Sequence, residues 1–394
     1  MKPKVFNIAN DQDILSGLVT DVYFDRTVRI LKAKKVNPVV KAELIVKSMP
    51  GGQSGKDWPW AVLAGLDEAM SLLKGLPVKV RAIEDGTVFY PYEPILEIEG
   101  RYLDFCVYET ALLGFLCQAS GIATQAARFK MLAGERMVLS FGARRMHPAL
   151  APMIERNAYI GGCDGVSVIE SGQVIGREAV GTMPHALIIC MGGTVEAALA
   201  FDEVIGPGAM RVVLIDTFQD EKFECLNVAR ALGKKLDGVR FDTPSSRRGD
   251  FYRILEECRW ELDQRGFGHV KFFVSGGIKE ADVARLNPLV SGYGIGTSIS
   301  NAPVVDIAMD IMEVEGKPLA KRGKWSGGKR VLRCKKCGGR MTIPLSGNTP
   351  ECGCGGEFVD ILIPALDNGR LLIPEHSPHE LRERTLLNIK GLEL

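Results

Sequence analysis

Four cysteines lie within 21 residues, as Cys334-x-x-Cys337 and Cys352-x-Cys354. Thiolates bind Zn²⁺ tetrahedrally, and a C-x-x-C knuckle brings two sulfurs on one tight turn to a single ion. Glycines accompany both pairs, at Gly338-Gly339 and at Gly353, Gly355 and Gly356. They free the backbone to wrap a metal and to aim N–H groups at sulfur. The set predicts a structural Zn²⁺ in preference to an iron centre or redox thiols, although the C-x-C pair departs from the commonest ribbon. Four thiolates close the shell, so this metal is a staple and leaves the chemistry to other residues. Small and polar residues recur where apolar runs end: Phe141-Gly142-Ala143-Arg144-Arg145, Gly181-Thr182-Met183-Pro184-His185, Asp216-Thr217, Arg240-Phe241-Asp242-Thr243-Pro244-Ser245-Ser246, Ser275-Gly276-Gly277 and Gly294-Ile295-Gly296-Thr297-Ser298. Gly276-Gly277, read as opening a helix, and Gly296-Thr297-Ser298 after the next strand suit a phosphate held by N–H groups and hydroxyls. Arg240 and Arg144 can hold a second anion, since guanidinium recognises carboxylate or phosphate bidentately. Asp242 suits sugar hydroxyls or a Mg²⁺–diphosphate, and Phe141 offers a flat apolar face to a ring. His185 can hydrogen-bond an aromatic acid or accept a phosphoryl group from ATP. Singly, each has a plain structural reading: core packing for Phe141, a helix N-cap for Asp242, a core histidine for His185. Their gathering at one rim argues for a site.

Those residues need a scaffold that brings strand ends together. From about residue 137, short apolar segments alternate with amphipathic ones. The pattern predicts strands at 137–141, 164–168, 179–182, 211–216, 238–242, 270–275 and 290–295. Helices are predicted at 151–159, 194–203, 221–235, 249–265 and 279–286. Runs such as VVLI and FFV, which do not alternate, suit strands buried on both faces of a parallel sheet. Seven βα-like units predict an irregular or incomplete α/β barrel with its chemistry at the strands' C-terminal ends, an open doubly wound sheet being the alternative. Before it, Ile14, Leu15, Leu18, Val19, Val22 and Tyr23 repeat with helical spacing, as do apolar residues of Leu66–Leu73. Ala42, Leu44 and Val46 alternate with Lys41, Glu43 and Lys47, and similar alternation follows at 78–82 and 96–99. Such alternation predicts an N-terminal α+β domain whose sheets keep one wet face. Residues 110–127 are uncharged, but Gln118, Ser120, Thr124 and Gln125 make the run too polar to span a bilayer, so a buried helix is expected. The predicted division is 1–110, an α+β domain; 111–315, the barrel; and 316–394, a basic strip, a zinc-ribbon-like module and a C-terminal surface arm.

The chain has 394 residues, 46% hydrophobic and 25% charged, globular proportions that exclude disorder and collagen-like repeats. Its net charge of +1 hides a partition. Residues 317–340 carry ten Lys/Arg and no Asp/Glu, so the remainder carries 39 − 48 = −9. Zinc ribbons beside basic strips can bind nucleic acid, but Trp325 is the strip's one aromatic residue and gives base stacking little support. The N-terminus lacks an apolar signal-peptide core, and Cys106, Cys117, Cys163, Cys190, Cys225 and Cys258 read as reduced core cysteines. Together they predict a cytoplasmic protein without a membrane partner.

DVYF at 21–24, FGARRMHP at 141–148, GTMPHA at 181–186, RFDTPSSRRG at 240–249, VSGG at 274–277 and GIGTSIS at 294–300 carry a family likeness. In order and spacing the chain resembles nicotinate phosphoribosyltransferase over essentially its whole length, in the archaeal-type form that carries the cysteine module. The resemblance implies the type II phosphoribosyltransferase fold, an N-terminal α/β domain packed on an irregular α/β barrel. It implies a reaction of nicotinate with 5-phosphoribosyl-1-diphosphate that gives nicotinate mononucleotide and diphosphate in NAD biosynthesis, usually with ATP hydrolysis and with Mg²⁺ on the diphosphate. By motif position, it implies that Phe141 stacks on the pyridine ring and that Tyr23 reaches the opposite ring face from a neighbouring subunit, which requires a homo-oligomer. Arg240 then meets the carboxylate, and Gly277, Gly296 and Thr297 hold the 5′-phosphate. His185 matches the histidine phosphorylated in ATP-using members, and Asp242 contacts ribose or metal-bound diphosphate. Arg144, Arg145, Thr182, Ser245, Ser275, Gly276 and Ser298 complete the expected substrate-binding set. The nearest competitor, quinolinate phosphoribosyltransferase, needs further basic residues around the ring, and GTMPHA favours the nicotinate enzyme. Nicotinamide would gain less from Arg240 than a carboxylate does.

Overall fold

The structure, a computed structural model, describes residues 5–53, 55–205 and 208–394. Two compact units divide it: the described residues up to Thr124 together with Pro303–Leu394, and Gln125–Ala302. The second unit is the predicted barrel. Its strands are β1 Met137–Ser140, β2 Gly165–Val166, β3 Val212–Leu214, β4 Gly238–Phe241, β5 Lys271–Val274 and β6 Gly292–Ile295. They form one parallel sheet in the order β2-β1-β6-β5-β4-β3. That order runs round a ring and stops between β2 and β3, which makes a half-barrel. Val212, Val213 and Leu214, like Phe272, Phe273 and Val274, are buried, as unalternating runs in a doubly covered sheet should be.

Connecting helices are α1 Ala151–Ile160, α2 Ile169–Ile175, α3 His185–Met191, α4 Thr194–Ile205, α5 Glu221–Leu232, α6 Ser245–Arg248, α7 Phe251–Gln264, α8 Glu280–Leu286 and α9 Thr297–Ser300. In α7, Phe251, Leu255, Cys258 and Leu262 recur every three to four residues, and this stripe is the buried one. The segment 179–182, predicted as a seventh strand, is irregular. It keeps one strand-like bond, Val180 N–H to Val166 O at 2.7 Å. The physical reason is local: Gly181 falls within it and Pro184 follows closely after it, and proline has no N–H to extend a ladder.

The first unit is built on an antiparallel sheet in the order Lys317–Pro318, Ile307–Val314, Val39–Val46, Pro94–Arg101, Lys79–Ala82, Ile363–Asp367, Arg370–Leu371. The two units are bounded differently from the three parts expected. Residue 110 lies inside the helix Glu109–Ala133, and strands from beyond residue 303 pair into the N-terminal sheet. That long helix is a core element as expected, with Leu112, Leu116, Ile122 and Phe129 buried. Its Thr124 Oγ1 accepts from Val62 N at 2.9 Å.

The expected wet sheet face is also covered. Lys41 and Glu43 are buried, Lys41 Nζ lying 3.3 Å from Glu99 and 3.4 Å from Glu313, and Glu43 2.7 Å from Lys329 Nζ. Arg81 meets Asp360 at 2.9 Å, and Arg340 meets Glu93 at 2.8 Å. Lys321 and Lys324 both pair with buried Asp310. The cysteine module thus sits on the sheet through ion pairs, which offset the cost of burying each charge alone. Residues 378–389 overturn the surface-arm expectation: they form a helix capped by Ser377 and Glu380 that buries Leu381, Thr385 and Ile389. Near the N-terminus the single predicted helix is two, Asp11–Leu15 and Val22–Ala33, separated at Gly17, whose φ of 71° needs glycine.

Candidate active site

The C-terminal ends of β3 and β4 and the start of α3 converge on one cluster. His185 is the first residue of α3. Its Nδ1 lies 3.0 Å from Thr217 Oγ1, and its Nε2 lies 3.6 Å from Asp242 Oδ2 and 4.0 Å from Asp216 Oδ1. Asp216 accepts from the Asp242 N–H at 3.1 Å through Oδ2, while Oδ1 is buried without a hydrogen-bond partner. Burial raises the Asp216 pKa above the ordinary carboxylate value; the His185 interaction opposes this and the Asp242 charge adds to it. Two converging carboxylates with an unsatisfied oxygen fit a divalent cation or a hydroxyl-rich ligand. Asp216 and Thr217 stood at a predicted strand end without an assigned role, and only the fold brings them to His185.

Beside this cluster runs the loop after β5. Ser275 Oγ donates to Asp242 Oδ1 at 2.8 Å. Gly276 and Gly277 follow with φ of 79° and 71°, both left-handed. A Cβ on Gly276 would stand 2.8 Å from Asp242 Oδ1, whereas one on Gly277 would meet nothing within 4 Å. The first glycine is packed and the second faces open space. They do not themselves open a helix, because α8 begins only at Glu280; the pair makes a left-handed turn instead. Arg248, to which the sequence assigned no role, braces this turn. Its Nε donates to Thr243 O at 2.7 Å and its Nη2 to Ser275 O at 3.0 Å and to Gly276 O. The signal was the RR pair in 240–249, which reads equally as a solvated helix face. On the other side, Gly296 caps α9, and Gly142 packs so closely that a Cβ there would lie 2.5 Å from Gly296 O. Ser298 Oγ donates to Ile278 O at 2.8 Å, joining the two glycine loops.

A cavity of about 230 Å³ occupies the half-barrel interior, lined by Met137, Leu139, Phe141, Val180, Thr182, Met210, Val212, Arg240, Phe273, Gly294 and neighbours. Arg240 Cζ lies 6.0 Å from the Phe141 ring centroid. Its Nε is buried without a hydrogen-bond partner, and burial lowers its pKa from the ordinary value. Phe141 lies flush against Gly294, where a Cβ would come within 2.5 Å of the ring. An apolar slot with the flat rings of Phe141 and Phe273 and one under-satisfied guanidinium fits a small aromatic anion. Among the described residues lining it, Arg240 is the cation and Glu178 the anion.

The structure thus gathers Phe141, Arg240, His185, Asp242, Ser275, Gly276, Gly296 and Ser298. Arg144, Arg145, Ser245 and Thr297 are exposed, and Thr182 lines the cavity. Tyr23 belongs to the other unit.

In that other unit the four sulfurs of Cys334, Cys337, Cys352 and Cys354 lie within 4.8 Å of one another. Sulfur–sulfur separations are 3.5 Å for Cys334–Cys354, 3.6 Å for Cys337–Cys352 and 3.4 Å for Cys352–Cys354. A tetrahedron of sulfurs at about 2.3 Å from Zn²⁺ has edges of about 3.8 Å, so the set fits such an ion. Backbone N–H groups of Cys337 and Lys336 lower the Cys334 thiol to about 6. A Cβ on Gly356 would stand 2.6 Å from Cys334 Sγ, so glycine makes room for the cluster.

Residues 21–120 match the family model for the quinolinate phosphoribosyl transferase N-terminal domain, and residues 122–310 that for its C-terminal domain. A nicotinate phosphoribosyltransferase of Mycobacterium tuberculosis is 31% identical over 277 residues, covering 66% of this chain and 60% of that protein. The crystal structure of nicotinate-nucleotide pyrophosphorylase from Pyrococcus furiosus is 50% identical with a TM-score of 0.96, covering 100% of both chains. That of human nicotinic acid phosphoribosyltransferase is 22% identical with a TM-score of 0.73, covering 95% of this chain and 94% of that one, a likeness of fold. Both family domains occur in order, the half-barrel is theirs, and a half-identical relative matches from end to end: the chain belongs to the type II phosphoribosyltransferase family.

Proposed function

We propose that this protein is a nicotinate phosphoribosyltransferase. The observation that carries the reading is the interior slot in which Arg240, its Nε buried without a hydrogen-bond partner, stands over Phe141. Nicotinate supplies a flat ring for Phe141 and one carboxylate for Arg240. Quinolinate would bring a second carboxylate into a slot whose other charged lining residue is the anionic Glu178. The named relatives in Mycobacterium tuberculosis support the same substrate.

In the proposed reaction the pyridine nitrogen bonds to C1 of phosphoribosyl diphosphate as the C1–oxygen bond breaks, and the electron pair leaves with diphosphate. The transition state resembles an oxocarbenium ion, as in glycoside cleavage. The pyridine nitrogen is already unprotonated near neutral pH, so no general base is needed. Catalysis rests on alignment and on stabilising the departing anion. Phe141 and Arg240 orient the ring, with Thr182 at the slot. Gly276, Gly277, Gly296, Thr297 and Ser298 cradle the 5′-phosphate, with Ser275 between them and Asp242. Asp216 and Asp242 would hold Mg²⁺, which would supply positive charge to the leaving diphosphate. Arg144, Arg145 and Ser245 lie on the outer rim for the same anion. His185 Nε2 would accept the γ-phosphoryl group of ATP as its bond to the β-phosphate oxygen breaks and ADP leaves, with Nδ1 fixed by Thr217. Tyr23 closes the ring site of a neighbouring subunit in a homo-oligomer, Zn²⁺ sits on the four cysteines, and the compartment is the cytoplasm, in keeping with ten unbridged cysteines.

Incubating the protein and Mg²⁺ with phosphoribosyl diphosphate and nicotinate, quinolinate or nicotinamide, with and without labelled ATP, tests this reading. Nicotinate mononucleotide should form, together with acid-labile, base-stable label that disappears in His185→Ala. Turnover of quinolinate with CO₂ release, and none of nicotinate, would overturn it.

A further inference from the structure

The left-handed turn at Gly276-Gly277 has no side chains of its own to fix it, so its geometry is set by what grips its two ends. The leading end is gripped at the site itself, by Ser275 on Asp242 and by Arg248 on two carbonyls. The trailing end leads within three residues to Glu280, the first residue of α8. Glu280 does not face the site. Its carboxylate accepts from Arg128 Nε at 2.9 Å and Nη2 at 3.0 Å, and from Gln125 Nε2 at 2.8 Å. The Arg128 side chain is 5% exposed and that of Glu280 12% exposed. All three residues belong to the half-barrel unit, and Gln125 and Arg128 lie three residues apart on one face of the Glu109–Ala133 helix. A bidentate, buried guanidinium–carboxylate pair fixes direction as well as distance. A buried charge pair is a weak source of net stability, so its place beside this turn asks for a positional reason.

We infer that the Arg128–Glu280–Gln125 clamp is a positioning device for the phosphate turn, setting the register of Gly277 and thereby affinity for the 5′-phosphate. The inference rests on the phosphoribosyl reading of that turn. None of the three residues touches substrate; they act through the backbone of residues 276–280. Misplacing a binding loop by about 1 Å can cost about 100-fold in rate. Glu280→Asp, which keeps the charge but shortens the arm by one methylene, is therefore the informative change, with Glu280→Gln as its partner.

Ribose 5-phosphate carries the 5′-phosphate without the diphosphate, and magnesium pyrophosphate carries the diphosphate alone. Calorimetry should show about tenfold weaker ribose 5-phosphate binding in Glu280→Asp, with pyrophosphate affinity within about twofold of wild type. The KM for phosphoribosyl diphosphate should rise while that for nicotinate holds. Gln125→Leu, which leaves the ion pair in place, should give a smaller shift in the same direction. Unchanged ribose 5-phosphate affinity in a variant with wild-type melting temperature would sink the inference. So would parallel loss of both ligands with a lowered melting temperature, the mark of a merely structural pair. Failure of the phosphoribosyl reading is distinguishable, because wild-type protein would then bind no ribose 5-phosphate, and the inference would fall with it.

Discussion

At the scale of single residues, Arg240 carries the substrate assignment. A guanidinium whose Nε is buried without a partner is costly unless something arrives to complete it, and a carboxylate does so with charge-assisted bonds. Removing one partner of such a buried pair costs about 2–5 kcal/mol, so Arg240→Gln should weaken nicotinate binding at least about 30-fold. Ribose 5-phosphate affinity, read by the same calorimetry, should stay within about twofold. Equal loss of both would move Arg240 from the ring pocket to general scaffolding. Phe141, His185, Arg240 and Asp242 were legible in the sequence because each sits where an apolar run ends, and in a parallel barrel those ends share a rim. Asp216 and Arg248 were not. Asp216 meets Asp242 across 26 residues and Arg248 meets Ser275 across 27, and one sequence carries no trace of such contacts.

Among the elements, periodicity predicted which segments form strands and helices better than it predicted what covers them. The alternation through Lys41 and Glu43 reads as a solvated face, yet their partners Glu313 and Lys329 come from about 270 to 290 residues later and bury it. The helix Glu109–Ala133 shows a related effect at its first residue. Burial pushes the Glu109 carboxyl up to about 7, the Asp310 charge on the Ile307–Val314 strand adds to the rise, and Lys321 opposes it. In the unfolded chain this group ionises near its reference value of about 4.3. Between those two values the folded state holds a proton that the unfolded state has lost, so stability falls as pH rises through the window. Glu109→Gln should therefore raise the melting temperature at pH 8 and change it little at pH 4. A gain of equal size at both pH values would show that ionisation is not the cause.

For the whole molecule, the partition of charge acquires a structural meaning. The basic strip was a candidate polyanion surface, but Lys321, Lys324, Lys329, Arg330 and Arg340 are paired with Asp310, Glu43, Asp360 and Glu93 of the same unit. The strip fastens the cysteine module to the sheet, and the chain returns from the module to add the strand Ile363–Asp367. Stripping the metal should then loosen a sheet edge as well as an appendage. With chelator the melting temperature should fall by about 5 °C or more and recover with Zn²⁺ but not Mg²⁺; an unchanged transition would leave the cysteines without a stabilising metal. Assembly is the other whole-molecule question. Leu18, Val22, Tyr23 and Ile30 are 55–62% exposed on the helix Val22–Ala33 and the turn before it, more apolar surface than one short segment usually leaves in water. If a second copy covers it and Tyr23 completes that copy's ring site, two different inactive variants should rescue one another. Tyr23→Ala damages the donor of the ring face and Arg240→Gln the acceptor. In a randomly mixed dimer half the molecules are hybrids, each with one site built entirely from wild-type residues, so about a quarter of wild-type activity should return on mixing after dissociation. Activity that stays at the sum of the two variants would mean that Tyr23 and Arg240 serve the same site within one chain, or that Tyr23 serves none.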